Sequence, residues 1–242
     1  MNTIALPQKI EFKKGKNPNN EIVEIEALFP GYGATIGNSI RRALLSSLDG
    51  AAVIGVKIKG ASHEFMALPN IKEDILTLIL NLKKLRVKLF SDEVVKIELN
   101  VSGKRQVTAK DIKKSAEAEV INKDLILATI TDKDGSLDME IYIAAGKGYE
   151  CVEAREEKNG EVGYIEIDSM FSPVVSVGIT IENSRVGKIT NWDKLLLDIT
   201  TDGVITPQEA FNQSIGILIE QFNSLVPKKE VTKKAIKEKE KK

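Results

Sequence analysis

The sequence predicts an α+β fold, with helices near both ends and a β-rich middle. Three observations predict it. A 15-residue apolar-striped stretch, IKEDILTLILNLKKL, begins just after Pro69-Asn70. From about residue 86 to 182, short runs of β-formers alternate with turn dipeptides. Near the C-terminus, TPQEAFNQSIGILIEQFNSLV opens with a complete helix-start signature.

Taken in order, residues 21–29 (EIVEIEALF) partly alternate and predict a strand. A glycine-rich loop, GYGATIG, follows, and residues 34–48 predict a helix with Thr35 as its cap. Residues 51–60 (AAVIGVKIKG) predict a second strand. Pro69 and Asn70 introduce the next helix, with Ile75, Leu78, Ile79, Leu82 and Leu85 as its apolar stripe. Glu73 and Asp74 in its first turn and Lys83 and Lys84 in its last suit the helix dipole. VVKIELNV, DLILATI, LDMEIYI and VGYIEI predict strands, separated by turns at Ser102-Gly103, Asp134-Gly135 and Asn159-Gly160. Residues 174–182 and 194–201 extend the β pattern to the turn at Asp202-Gly203. In the last helix, residues 206–226, Thr206 is the cap, Pro207 takes the first helical position, Glu209 closes a capping box and Pro227 ends the helix. No internal repeat is visible.

Composition narrows the function. The 242 residues suffice for one large domain or two small ones. The lone cysteine, Cys151, excludes an internal disulfide and fits a reducing cytoplasm. No run of 18 apolar residues exists, and MNTIALPQKIEFKK lacks the features of a signal peptide, so neither membrane insertion nor secretion is expected. Formal net charge is zero but unevenly placed: residues 228–242 hold eight lysines and three glutamates, leaving 27 basic and 32 acidic residues elsewhere. A body with a net charge of −5 is a poor surface for gripping DNA, and the lysine-rich tail is expected to be solvated and disordered.

Three stretches invite a chemical reading, and each fails on spacing. GYGATIG is GxGxxxG rather than a dinucleotide fingerprint, and no phosphate-loop lysine follows, so a tight turn is expected. His63-Glu64 begins like HExxH, but His63 is the chain's only histidine, so the second metal ligand does not exist. DKDGSLDME (132–140) has its glycine at the fourth position, and Ile143 stands where a calcium loop needs glutamate; a hairpin turn is expected instead. The polypeptide alone is expected to be non-catalytic and to bind no metal or cofactor.

The helices are more informative. At 100° per residue, Ile36, Ile40, Ala43 and Leu44 gather on one side of the first helix, and Asn38, Arg42 and Leu45 on the other. A fixed charge beside a leucine suits a protein–protein surface as well as a solvated face. Phe211, Ile215, Leu218, Phe222 and Leu225 in the last helix are spaced 4, 3, 4, 3, with Ile219 widening the seam. Such a seam fits a helix laid on a sheet, or two helices from two chains meeting lengthwise.

GYGATIGNSIRRALLSSLDGAAV, HEF, IKEDILTLILNLKKL, GKGY at 146–149 and FSPV at 171–174 occur in this order, and over residues 1–227 the chain resembles the alpha subunits of bacterial DNA-dependent RNA polymerase. The resemblance implies two lobes: a dimerisation domain of residues 1–50 and 175–227, with helices on a sheet, and a β-rich domain of residues 51–174 inserted into it. It implies a homodimer interface on the helices at 34–48 and 207–225, with Ile36, Ile40, Leu44, Phe211, Ile215, Leu218 and Phe222 as its residues. Arg42 would contact the beta subunit, supported by Gly33, Asn38 and Leu45 and by the 64–76 segment. The second protomer would face beta-prime through the inserted lobe. Omega and sigma would join in the whole enzyme, the catalytic magnesium would belong to the largest subunit, and DNA would be reached only through the assembled complex. The family usually continues into a C-terminal DNA-contacting domain; here the sequence ends in the lysine-rich tail, either cut short or belonging to a short subunit, so DNA binding by that domain is not carried over. The readings that compete are a nucleotide-binding enzyme using the 31–37 loop and a dimeric scaffold of some other complex.

Overall fold

The computed structural model describes residues 4–155, 161–187 and 189–226. In chain order the strands and helices are β1 (Lys9–Lys14), β2 (Asn20–Leu28), α1 (Tyr32–Ser46), β3 (Asp49–Ile58), α2 (Ile75–Leu82), β4 (Val87–Leu89), β5 (Val95–Ser102), β6 (Arg105–Thr108), β7 (Ala118–Val120), β8 (Ile126–Ile130), β9 (Ser136–Lys147), β10 (Tyr149–Glu150), β11 (Tyr164–Glu166), β12 (Ser169–Met170), β13 (Val174–Val186), β14 (Ile189–Thr201) and α3 (Pro207–Leu225). The fold is α+β, as the sequence predicts. The turn at Asn159-Gly160, the stop at Pro227 and the tail at 228–242 lie outside the described residues.

Two antiparallel four-stranded sheets carry the molecule, ordered β1-β2-β14-β13 and β11-β3-β9-β5. Period-two alternation decides which face each strand buries. In β5, Val95, Ile97, Leu99 and Val101 are buried while Lys96, Asn100 and Ser102 are exposed. Each sheet has its own apolar cluster. Val23, Ile25 and Leu28 of β2, Leu195, Leu197 and Ile199 of β14, Ile40 and Leu44 of α1 and Phe211 of α3 form one. The other gathers β3, β5, β9 and the apolar stripe of α2, with Leu78, Leu82, Leu99 and Ile141 fully enclosed. The Arg86 guanidinium reaches the buried Asp202 carboxylate at 3.7 Å, an ion pair between the two halves.

Several local expectations need correction. Helix α1 begins at Tyr32, and Thr35 does not cap it: the Thr35 hydroxyl donates to the Gly31 carbonyl within the helix, at 3.3 Å. Gly31 sits at the N-cap with φ 87°, a left-handed conformation that glycine adopts without strain. Helix α2 is shorter than its apolar stripe. Asp74 is its N-cap, accepting from the Thr77 amide at 2.8 Å. Glu73 lies outside, accepting from the Thr129 amide at 2.6 Å and hydroxyl at 3.0 Å. Lys83 is the C-cap, so Lys84 and Leu85 also fall beyond the helix, although Leu85 stays buried. The turn at Asp134-Gly135 is not a hairpin: β8 pairs with β6, whereas β9 pairs with β3 and β5, so this turn carries the chain from a small ribbon into a large sheet. Asp132 shapes it by accepting from the Asp134 amide at 3.0 Å.

Candidate interaction surface

The glycine loop is the first place to look for a ligand, because free amides at a helix start attract anions. Here the anion is already present and belongs to the chain. Asp193 of β14 points its carboxylate at α1, and one oxygen accepts from the Gly31 amide at 2.9 Å and the Gly33 amide at 3.0 Å. A Cβ on Gly33 would stand 2.9 Å from that same oxygen and 3.2 Å from Ile181, which is why glycine is needed there. The two amides that would hold a phosphate are occupied. His63 is exposed, and its Nδ1 accepts from the Phe65 amide at 3.3 Å. Among the described residues, no group of three His, Cys, Asp or Glu side chains is disposed to hold a metal.

One concave feature of the half built on β1, β2, β13 and β14 is apolar. Helices α1 and α3 pack side by side against the β1-β2-β14-β13 sheet, and a cavity of about 310 Å³ opens between them. Ile25, Leu28, Ile40 and Phe211 form its floor, and Ile36, Ile215, Leu218, Ile219 and Phe222 its walls. Among the described residues, Thr35 and Ser39 supply its only polar side chains. Phe12 of β1 braces the floor, meeting the Phe211 ring edge-on at 5.6 Å between centroids. Two of these walls, and Leu225 beyond them, are apolar and exposed: Ile219, Phe222 and Leu225 are 53%, 59% and 76% accessible. A single chain leaves these side chains in water, and that is the mark of a surface awaiting a partner.

The residues expected at a dimer interface therefore divide. Leu44 is fully buried in the chain's own core, and Ile40 and Phe211 are buried as groove floor. Ile36, Ile215 and Leu218 are half-buried, and Phe222 is exposed. Pro7, Ile10, Ile25 and Leu28, which sequence reasoning missed, join the lining from β1, β2 and the segment before them. Their signal was tertiary: nothing local marks those positions as neighbours of α3.

The second expected set lies on the other side of α1. Asn38 and Arg42 are exposed and Leu45 is half-buried, one turn apart along a single flank. Asn38 donates to the Ala34 carbonyl at 2.9 Å, holding its side chain along the helix. Arg42 forms no ion pair among the described residues. Gly33 is buried behind Asp193 and presents no side chain. An aromatic trio that sequence reasoning also missed stands at the start of α1: Phe29 meets Tyr32 edge-on at 6.1 Å and Trp192 at 6.0 Å.

Electrostatics are concentrated away from the groove. Glu24 of β2, buried, lies between Lys13 and Lys194, and these two ammonium groups pull its pKa down to about 2. Asp202 shows the opposite balance: burial raises its pKa, and the Val204 amide and Arg86 only partly compensate.

Fold and surface together define an α+β protein with an exposed apolar groove between two helices. Residues 56–172 match the family described as the RNA polymerase Rpb3/RpoA insert domain. Over 225 residues, 90% of this chain and 71% of each relative, the sequence is 44% identical to the DNA-directed RNA polymerase subunits alpha of Macrococcus caseolyticus (strain JCSC5402), Oceanobacillus iheyensis and Carboxydothermus hydrogenoformans. The chain belongs to the family of alpha subunits of DNA-directed RNA polymerase, and so to transcription.

Proposed function

We propose that the chain is a homodimeric, non-catalytic scaffold on which the beta and beta-prime subunits of RNA polymerase assemble. One observation carries this reading: an apolar groove walled by helices from opposite ends of the chain includes the exposed Ile219 and Phe222 and runs on to the exposed Leu225. Burying such side chains against a second copy removes apolar area from water at about 25 cal/mol per Å². A two-fold arrangement uses the same patch on both copies, so α3 of one protomer fills the groove of the other. In this arrangement residues 1–50 and 175–227 form the dimerisation domain and 51–174 the inserted one. Ile36, Ile215, Leu218 and Phe222 make the contact, over a floor that includes Ile40 and Phe211. Leu44 supports the floor from within.

Arg42, with Asn38 and Leu45 beside it, is the flank offered to the beta subunit; Gly33 acts by setting the helix start. The 64–76 segment extends that surface, and the second protomer meets beta-prime through the inserted domain. Omega and sigma enter with the whole enzyme, DNA is met only through the complex, and this chain contributes no cofactor. Its place of work is the cytoplasm. No described helix is long and apolar enough to cross a membrane.

Light scattering on the purified chain at micromolar concentration tests the core of this proposal. The expected mass is that of two chains. Leu218→Glu combined with Phe222→Glu is expected to halve it while the far-ultraviolet circular dichroism persists. A well-folded monomer in the unsubstituted chain would overturn the reading.

A further inference from the structure

The half of the molecule built on β3, β5 and β9 holds a second cavity, remote from the α1–α3 groove, of about 480 Å³. Its floor is aliphatic: Ile97, Ala109, Ile112 and Ala118 are all buried. Its rim is basic. Lys110, Lys113, Lys114 and Lys123 line it against a single carboxylate, that of Glu119. Lys113 is already paired with Glu98 at 2.7 Å, while Lys110, Lys114 and Lys123 form no ion pair among the described residues.

The basic rim is held in place by the backbone. The Lys110 amide donates to the Lys123 carbonyl at 3.0 Å, fixing these two exposed lysines side by side. The Ala109 amide donates to the Leu125 carbonyl at 2.8 Å and the Lys113 amide to the Glu98 carbonyl at 2.9 Å, tying the rim to its neighbours. Phe90 forms the lip, 61% accessible, with its amide bound to the Glu117 carbonyl at 2.9 Å and the Lys88 ammonium 5.8 Å from its ring centre. Adjacent ammonium groups over an apolar floor are mutually repulsive until an anion lies between them. This concentration of positive charge stands out on a chain whose residues before 228 carry a net charge of −5.

We propose that this lysine-rimmed cavity docks an acidic polypeptide segment that inserts one apolar side chain onto the Ile97–Ile112 floor, with its flanking carboxylates meeting Lys110, Lys114 and Lys123. Charge complementarity selects this occupant. The chain's own lysine-rich tail, with eight lysines in residues 228–242, carries the wrong sign. A single-stranded nucleic acid fits less well. Such ligands stack successive bases on aromatic platforms and favour arginine, whereas among the described residues Phe90 is the cavity's one aromatic and no arginine lines it. An apolar anchor inside a charged rim is the arrangement that concentrates binding energy in a peptide interface.

The test uses the full purified chain and a fluorescein-labelled acidic peptide with one central phenylalanine, followed by fluorescence anisotropy. Saturable binding is expected, weakening as salt rises. A peptide with serine in place of phenylalanine is expected to bind about tenfold more weakly, because the anchor is lost. The double substitution Lys110→Glu, Lys114→Glu, at exposed positions outside either core, is expected to cost about tenfold, and Phe90→Ser a smaller factor. Circular dichroism and the dimer mass serve as checks on folding. No saturable binding, equal binding of the serine peptide, unchanged binding by both variants, or tighter binding of a uridine oligonucleotide of matched charge would each overturn the proposal.

Discussion

Two buried or half-buried acids decide much of the first half of the molecule, and each makes a prediction. Asp193 satisfies two amides at the start of α1, a place where the macrodipole also favours a negative charge. Replacing it with alanine is expected to destabilise the chain by about 1–2 kcal/mol, the usual cost of losing a helix cap. Urea denaturation would measure it, and an unchanged midpoint would show that the cap is dispensable. Glu24 governs acid sensitivity. Lys13 and then Lys194 hold its folded pKa near 2, against about 4.5 when unfolded. A depressed carboxylate contributes stability that is complete above the unfolded pKa and is lost as pH falls through the folded one. The urea midpoint should therefore drop as pH falls from about 4.5 to about 2, by a contribution on the order of 2 kcal/mol after allowing for the solvent around Lys13. Glu24→Gln should lower stability at neutral pH and flatten that part of the profile. An acid limb that survives unaltered in the Gln variant would assign the sensitivity to other carboxylates.

Among the elements, those with complete local signals were legible in the amino-acid sequence. Helix α3 carries its capping box in four consecutive residues, and the structure forms it: the Thr206 hydroxyl accepts from the Glu209 amide while the Glu209 carboxylate accepts from the Thr206 amide. The start of α1 was illegible because its cap lies 160 residues away in β14. The stripe of α2 was right about burial and wrong about length: Glu73 lies before the helix and instead accepts two bonds from Thr129 of β8, and the helix ends at Leu82, before Leu85. Strands β4, β7, β10 and β12 span only two or three residues, too few for a period to register. Strand β1 is half lysine and reads as solvent-exposed, yet it pairs along its whole length with β2. In the groove, the seam of α3 was legible from spacing, whereas the sheet residues beneath it were not. The same distinction explains two glycines of the sequence motifs. Gly50 of β3 and Gly146 of β9 are register partners, and Phe171 packs across both. A Cβ on Gly50 would lie 1.8 Å from the Phe171 carbonyl oxygen, and that residue is pinned by its own amide bond to the Gly148 carbonyl at 2.8 Å. The three atoms nearest a Cβ on Gly146 all belong to the Phe171 ring, at 2.8 Å. Gly50→Ala is therefore expected to cost about 3 kcal/mol, near the top of the range for overpacking, and Gly146→Ala less, because a ring can tilt and a bonded backbone cannot. Thermal melts of the two variants check the order; equal losses would mean that the strands themselves shift.

At the scale of the whole molecule, the proposed dimer raises a question of symmetry. Two identical chains related by a two-fold axis would present two identical Arg42 flanks, yet the proposed assembly with one beta and one beta-prime subunit would use only one of them for beta. In the proposed assembly, the first large subunit to dock would break the symmetry, and with beta-prime on the second protomer the other flank would be left without a beta subunit. Exposed charge at such a site is worth little until a partner desolvates it. The prediction is a stoichiometry as well as an affinity. Titrating beta into the purified chain under native mass spectrometry should saturate at one beta per two chains. Arg42→Ala should keep the dimer mass, since the residue is exposed and outside both cores, while weakening beta capture about tenfold or more, as loss of a central charged contact does. Arg42→Lys separates geometry from charge: a planar guanidinium pairs bidentately where an ammonium cannot, so lysine should recover only part of the loss. Saturation at one beta per chain would remove the argument from symmetry, and full beta capture by the alanine variant would move the contact away from this flank of α1.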